Sequence, residues 1–152
     1  MNDSVRALWA VYRSKDPAAP GEPPAVLHFC DNEKDADICA RLVVEGRKRA
    51  TACSLAELAI TGDPVPKPGD LAVVTDWAGE AQCVIRTRSV QIRRFDDVDE
   101  TFAREEGEGD LTLSWWREAH EAYYRRVLEG SEHSFSGDLE IACERFEVVL
   151  KA

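Results

Sequence analysis

A lysine and a threonine three residues apart, Lys48 and Thr51, follow a glycine at the end of an apolar-periodic segment in Val44-Glu45-Gly46-Arg47-Lys48-Arg49-Ala50-Thr51. An amine and a hydroxyl are the two halves of an activated nucleophile, because a neutral amine can take the proton that an attacking oxygen must lose. If both groups enter a partly closed pocket, burial lowers the lysine pKa and favours the neutral form. On an ideal strand a spacing of three places the two side chains on opposite faces, so cooperation requires the turn after Gly46 to bring them round. A solvated lysine beside a strand-forming threonine fits the same spacing. A second group of interest is the run Glu105-Glu106-Gly107-Glu108-Gly109-Asp110, in which glycines flank Glu108 and let the backbone present a carboxylate at an unusual angle. Such a carboxylate can pair with Lys48 or move protons, and several converging can hold a divalent cation. A solvated charge run is the plainer alternative. Trp115 and Trp116 are adjacent on an expected helix and point about 100° apart, so Trp116 fits the buried stripe and Trp115 a pocket wall. Trp77 lies in an expected turn and is a further aromatic on which a base could stack.

The elements that must position these groups are legible as patterns. Val5, Leu8, Trp9 and Tyr12 recur at helical spacing, and the proline-rich Asp16 to Pro24 ends that helix. Ala25 to Phe29 is a short apolar run. Asp31 and Asn32 are capping types before a second helix that carries Ile38, Leu42 and Val43 and stops at Gly46. Lys48 to Cys53 reads as extended and Leu55 to Ile60 as one or two helical turns, before the rigid loop Pro64 to Asp70. Leu71 to Thr75 and Ala81 to Phe95 read as strands of a hairpin. Asp96 to Arg104 reads as helix with Asp97 and Glu100 as its capping pair, and Asp110 as the cap of a helix over about 111–128 with the stripe Trp116, Ala119, Tyr123, Val127. In the last strand Leu139, Ile141 and Cys143 alternate and then change phase to Phe146, Val148 and Leu150, which predicts a bulge near Glu144 or Arg145. Uneven strands with helices inserted between them favour an α+β mixed β-barrel over a doubly wound sheet. The expected organisation is one domain over 1–152, with residues 1–24 a helix and linker and 25–152 the barrel.

With 152 residues, 44% apolar and 32% charged, the chain has the composition of a soluble protein, and no apolar run approaches a membrane span. Met1 to Arg6 shows no secretory pattern, so the expected compartment is the cytoplasm. Five widely spaced cysteines without a C-x-x-C pair read as reduced thiols, not a zinc site. The net charge of -10 weighs against strong non-specific nucleic-acid binding, yet it is unevenly spread. Asp96 to Asp110 holds eight acidic residues against Arg104 alone, whereas Arg47, Lys48, Arg49, Arg86, Arg88, Arg93 and Arg94 form two basic segments.

The ordered set Phe29-Cys30-Asp31, Gly46-x-Lys48-x-x-Thr51, Pro68-Gly69-Asp70, Glu106-Gly107-Glu108-Gly109-Asp110 with Trp116 and His120, and Cys143-Glu144-Arg145-Phe146 resembles the longer bacterial ASCH domains, over about residues 25–150. The resemblance implies a PUA-like barrel and action on RNA or a modified nucleoside. Some smaller members are similar amidohydrolases of N4-acetylcytidine that use a lysine, a threonine and a glutamate, and one longer member is a ribonuclease. By that resemblance Thr51 is the nucleophile, Lys48 its base and Glu108, with Glu106 as second choice, the proton-transfer carboxylate. Gly46, Arg47, Arg49, Arg86, Trp115 and Trp77 are the expected substrate contacts. No cofactor is implied, apart from a divalent cation if the reaction is that of a ribonuclease. The alternatives are an RNA-binding module without catalysis and a nucleotide-ligand sensor.

Overall fold

The computed structural model describes residues Met1–Ala152. Its helices are α1 (Asp3–Lys15), α2 (Glu33–Val44), α3 (Leu55–Thr61), α4 (Glu100–Glu106) and α5 (Leu113–Leu128). The strands β1 (Val26–Leu27), β2 (Ala50–Ser54), β3 (Leu71–Thr75), β4 (Ala81–Arg94) and β5 (Glu140–Lys151) form one sheet in the order β1-β3-β4-β5-β2. The β1–β3 pair is parallel and the others antiparallel. The expected α+β class with helices inserted between strands is therefore present, and β1 and β2 are the two edges of the hydrogen-bonded ladder.

Both faces of the sheet are buried, by different helices, and this is written into the strands. In β3, Ala72 and Val74 join Cys39, Ala40 and Val43 of α2 with Phe29, Cys83, Ile85 and Phe146. Val73, between them, turns to Val5, Leu8, Trp9 and Tyr12 of α1, as the period of two requires. The N-terminal helix is thus part of the core. A third cluster joins Ala50, Ile141 and Cys143 to Phe95, Val98, Phe102 and Ala103 of α4 and its approach and to Trp116 and Tyr124 of α5.

The phase change in β5 has the same origin. Ile141 and Cys143 face the cluster under α4 and α5, and Phe146 and Val148 face the one under α2, so the change records a switch of buried face. The extra residue expected near Glu144 or Arg145 lies instead on the partner strand: Thr87 pairs Phe146 and Ser89 pairs Arg145, leaving Arg88 out of register. A second irregularity leaves out Val149, because Val84 pairs Leu150 and Ile85 pairs Val148.

Two caps also differ from expectation. A short 3-10 turn over Phe95–Asp97 and the buried, extended Val98 displace the start of α4, so its cap is Asp99, which accepts from the Phe102 N–H. Asp97 cannot act there. Thr112 caps α5 by accepting from the Trp115 N–H, while Asp110 accepts from the Thr112 N–H and hydroxyl and so supports the cap from outside. The buried stripe of α5 runs through Trp116, Tyr124 and Leu128, with Ala119, Tyr123 and Val127 only half-buried beside it.

Candidate active site

Gly46 closes α2 with φ of 77°, a left-handed conformation that costs a residue with a Cβ about 1–2 kcal/mol. The N–H groups of Arg47 and Lys48 both return to the Leu42 carbonyl, which turns the chain sharply before β2. Arg49 then fixes the entry of the strand, donating its N–H to the Glu105 carbonyl and accepting from the Phe146 N–H. From the other side α4 ends at Gly107, φ 72°, packed so closely that a Cβ there would stand 2.3 Å from the Arg47 carbonyl oxygen. These two glycine turns bring the end of α4 against the start of β2 and send the Lys48 side chain inward between them.

There Lys48 is 2% exposed, and its Nζ donates to Glu106 Oε2 at 3.0 Å, Glu108 Oε2 at 2.9 Å and the Ala50 carbonyl at 2.8 Å. The same ammonium lies 5.2 Å from the centre of the Phe29 ring, within the range of a cation–π contact. Glu106 is 1% exposed, and its second oxygen, Oε1, has no hydrogen-bond partner. It faces His120 Nε2 at 3.5 Å. His120 in turn lies against Trp116, ring centres 4.1 Å apart, with Nδ1 at 2.8 Å from the Trp116 carbonyl. Cys39 completes the group, its thiol donating to Glu108 Oε1 at 3.3 Å.

The electrostatics of the cluster invert one sequence-based expectation. Burial does oppose charge on Lys48, but the carboxylates of Glu106 and Glu108 outweigh it and hold the amine protonated, above its ordinary range. The lowering expected for a free base does not occur, because the chain that buries the lysine brings two counter-charges with it. Burial likewise opposes charge on Glu106, yet Lys48 and then His120 keep it ionised, well below the usual carboxylate range. Glu108 moves the other way: burial, reinforced by the neighbouring charge of Glu106, raises it despite Lys48. His120 is raised, since Glu106 and Glu108 overcome the cost of burying its charge. Two carboxyl groups pushed apart in this manner are the usual division between a fixed charge and a proton carrier.

Thr51 stands directly opposite Glu144 in the β2–β5 ladder, so their side chains share a face. Its hydroxyl is half-buried and has no hydrogen-bond partner within the chain. Glu144 accepts from the Thr87 hydroxyl at 2.8 Å and is raised chiefly by burial, with Lys48 acting in the opposite sense. Thr51 thus neighbours Glu144 across the ladder and makes no hydrogen bond to Lys48.

Of the expected substrate contacts, Gly46, Arg47 and Arg49 line one cleft of about 410 Å³ with Thr101, Arg104, Glu105 and Gly107. Gly107 of this lining lies between the two cluster glutamates in sequence, while Lys48, Glu106, Glu108 and Thr51 are not part of the lining. Trp115 lies against Gly109, where a Cβ would come within 2.2 Å of its ring, and so walls the acidic loop. Two residues lie elsewhere. Arg86 donates to Tyr12 Oη at 3.0 Å and pairs with Glu147, on the side of the sheet that α1 covers. Trp77 is 42% exposed and packs its ring near His28, with its N–H on Asp37. Cys39 and His120 were not among the expected site residues. His120 was visible only as one member of the ordered motifs, and Cys39 reads as an ordinary apolar position of α2.

Glu106, Glu108 and His120 offer ligand atoms within 4.8 Å of one another. A divalent cation held by that set would meet the Lys48 ammonium, which already neutralises both carboxylates at hydrogen-bond distance. As arranged, these residues fit an ammonium and not a metal ion.

The model of the ASCH domain matches residues 25–150. The chain is similar to a crystal structure of an ASCH domain from Lactobacillus crispatus JV V101, at 32% identity, with 99% of this chain and 96% of that one covered and a TM-score of 0.87. It is similar also to a structurally characterised protein from Enterococcus faecalis V583, at 30% identity, 99% and 91% coverage and a TM-score of 0.89. No curated protein matches the chain. No helix is long and apolar enough to cross a membrane.

Proposed function

This chain belongs to the ASCH domain family, whose fold is PUA-like, and from that premise we propose that it is a hydrolase acting on an acylated nucleoside such as N4-acetylcytidine, alone or within RNA. The observation that carries the proposal is the Lys48 ammonium held in a buried position between Glu106 and Glu108, three residues before an unpartnered Thr51 hydroxyl. Buried ions are costly to keep unless closely paired, and groups shifted by burial and a specific charge partner collect at functional sites.

In the proposed reaction the Thr51 oxygen attacks the amide carbonyl and forms the bond to the acyl carbon. Its proton passes to a carboxylate, for which Glu108 is the suited group because its proton affinity is raised. Lys48, held protonated, supplies positive charge beside the developing oxyanion and keeps Glu108 in place. Glu106 fixes the lysine. The carbon–nitrogen bond then breaks, the nucleoside amine takes the proton from Glu108, and water releases the acyl group from Thr51 as a carboxylic acid. This assigns Lys48 an electrostatic part in place of the base suggested by the resemblance.

The test is turnover of a panel of acylated nucleosides and short RNAs by the wild type and by Thr51→Val and Glu108→Gln, with and without a chelator. The expected result is amide hydrolysis indifferent to the chelator and lowered about a hundredfold or more in either variant. Unchanged rates in both variants would remove the assignment. A second reading, RNA binding without chemistry, is favoured by one observation, the arginines 47, 49 and 104 around a single cleft. It predicts RNA affinity that falls steeply with salt and no turnover of any substrate.

A further inference from the structure

Cys30 is one of two residues other than glycine with φ in the left-handed region, at 64°. Glycine adopts that conformation without strain, and a side chain that persists there is a reason to ask what it does. Here the strained backbone places the Cys30 thiol 3.5 Å from the thiol of Cys39 on α2. Cys30 is partly exposed and Cys39 buried. From Cys39 the contact continues to Glu108 Oε1 at 3.3 Å, and from Glu108 Oε2 to Lys48 at 2.9 Å. A chain of four groups thus leads from the surface to the charged centre of the site.

We propose that Cys30 and Cys39 are a reversible oxidation site, closed to a disulfide by a peroxide, and that closure detaches Cys39 from Glu108. The Cys30 sulfur attacks the peroxide, becomes a sulfenic acid and leaves one water. Cys39 then attacks that sulfur, the sulfur–sulfur bond forms, and the hydroxyl leaves as the second water, taking the Cys39 proton by way of the hydrogen-bonded Glu108. Two thiols lose two electrons and one peroxide is reduced to two waters. The sulfurs need only close from van der Waals contact to about 2.05 Å, a motion within reach of side-chain rotation. Cys53, Cys83 and Cys143 have no thiol neighbour and serve as internal controls.

The disulfide stands apart from the proposed reaction, because its test uses no substrate. Reduced protein is exposed to hydrogen peroxide, quenched in acid, unfolded, alkylated and digested. The expected result is loss of one pair of alkylatable thiols, a Cys30–Cys39 cross-linked peptide, recovery with dithiothreitol, no loss of thiols in Cys30→Gly, and in Cys39→Ala no cross-link and loss of at most the Cys30 thiol. The glycine variant suits the local backbone and is expected to fold. Full alkylation of the oxidised wild type, a cross-link to another cysteine, or Cys30 carried past the sulfenic acid without a cross-link would overturn the proposal. In protein with ¹³C-labelled glutamate, the Glu108 carboxyl resonance is expected to titrate at a different pH after oxidation. An unchanged titration beside a formed disulfide would overturn the coupling.

Discussion

Replacement of Lys48 by methionine gives the sharpest test of the charged cluster. The substitution keeps the approximate length of the side chain and removes its charge, leaving Glu106, 1% exposed, and Glu108, whose side chain is 16% exposed, without their common partner. Removing one member of a buried pair costs about 3–5 kcal/mol. For a domain of about 150 residues this corresponds to a fall of roughly 6–20 °C in the midpoint of thermal unfolding. The pH dependence follows from the directions of the shifts. In the wild type Glu106 is depressed, so its contribution is present above the unfolded carboxylate value and is lost as pH falls through the folded one. Lys48 is raised, so its contribution is complete below the unfolded lysine value and is lost only as pH rises through the folded one. In the variant both carboxyl groups lose the Lys48 charge that lowers them, so their proton affinity rises relative to the wild type and the loss narrows as they protonate. The deficit is therefore widest near pH 8 and shrinks toward pH 4.5. Circular dichroism melts of both proteins at the two pH values measure it, and a second change, Glu106→Gln, is expected to recover part of the loss at pH 8. A deficit below about 1 kcal/mol, or one of equal size at both pH values, would refute the reasoning.

His120 is raised by Glu106 and Glu108, so ¹⁵N spectra of labelled histidine are expected to show its imidazolium persisting above the ordinary histidine range. Its stabilising effect is complete below the unfolded histidine value and is lost as pH rises through the folded one. Gly107→Ala combines φ of 72° with a Cβ 2.3 Å from a backbone oxygen that cannot move aside, and denaturant titration is expected to show a loss of about 2 kcal/mol or more. Thr112→Ala removes the cap of α5 and is expected to cost about 1 kcal/mol by the same measurement. If RNA is a ligand, Arg49→Ala and Arg104→Ala each reduce the slope of log affinity against log salt by about 1, while Arg86→Ala, paired with Tyr12 and Glu147 on the α1 side, leaves it unchanged.

Local signals in the sequence were reliable where one physical cause acts alone. The stripe of α1, the Asn32 cap, the glycine end of α2 and the proline loop before β3 are each decided by residues within a few positions of one another, and the structure has them as read. The caps at Asp99 and Thr112 were displaced by one burial and one backbone conformation, Val98 and the left-handed Leu111, that composition does not reveal. The phase change in β5 was visible, but its cause needed the knowledge that different helices cover the two faces. At the site, Lys48 and both glutamates were legible as residue types at telling positions. The sign of the lysine shift was not, because the sequence shows that a group can be buried without showing what is buried beside it. His120 and Cys39 meet the cluster across long separations, and Arg86 and Trp77 lie away from it. No local pattern carries that information.

The central claim is that Thr51 forms the covalent bond to the acyl group while Lys48 stays protonated between two carboxylates. Its most direct test is mass analysis of the protein quenched in acid within the first turnover of an acylated nucleoside. The account predicts one acyl group per chain on the peptide that carries Thr51, accumulating further when hydrolysis is slowed, and absent from Thr51→Val. Turnover by the wild type with no acylated Thr51 peptide, matched by equal turnover in Thr51→Val, would contradict it.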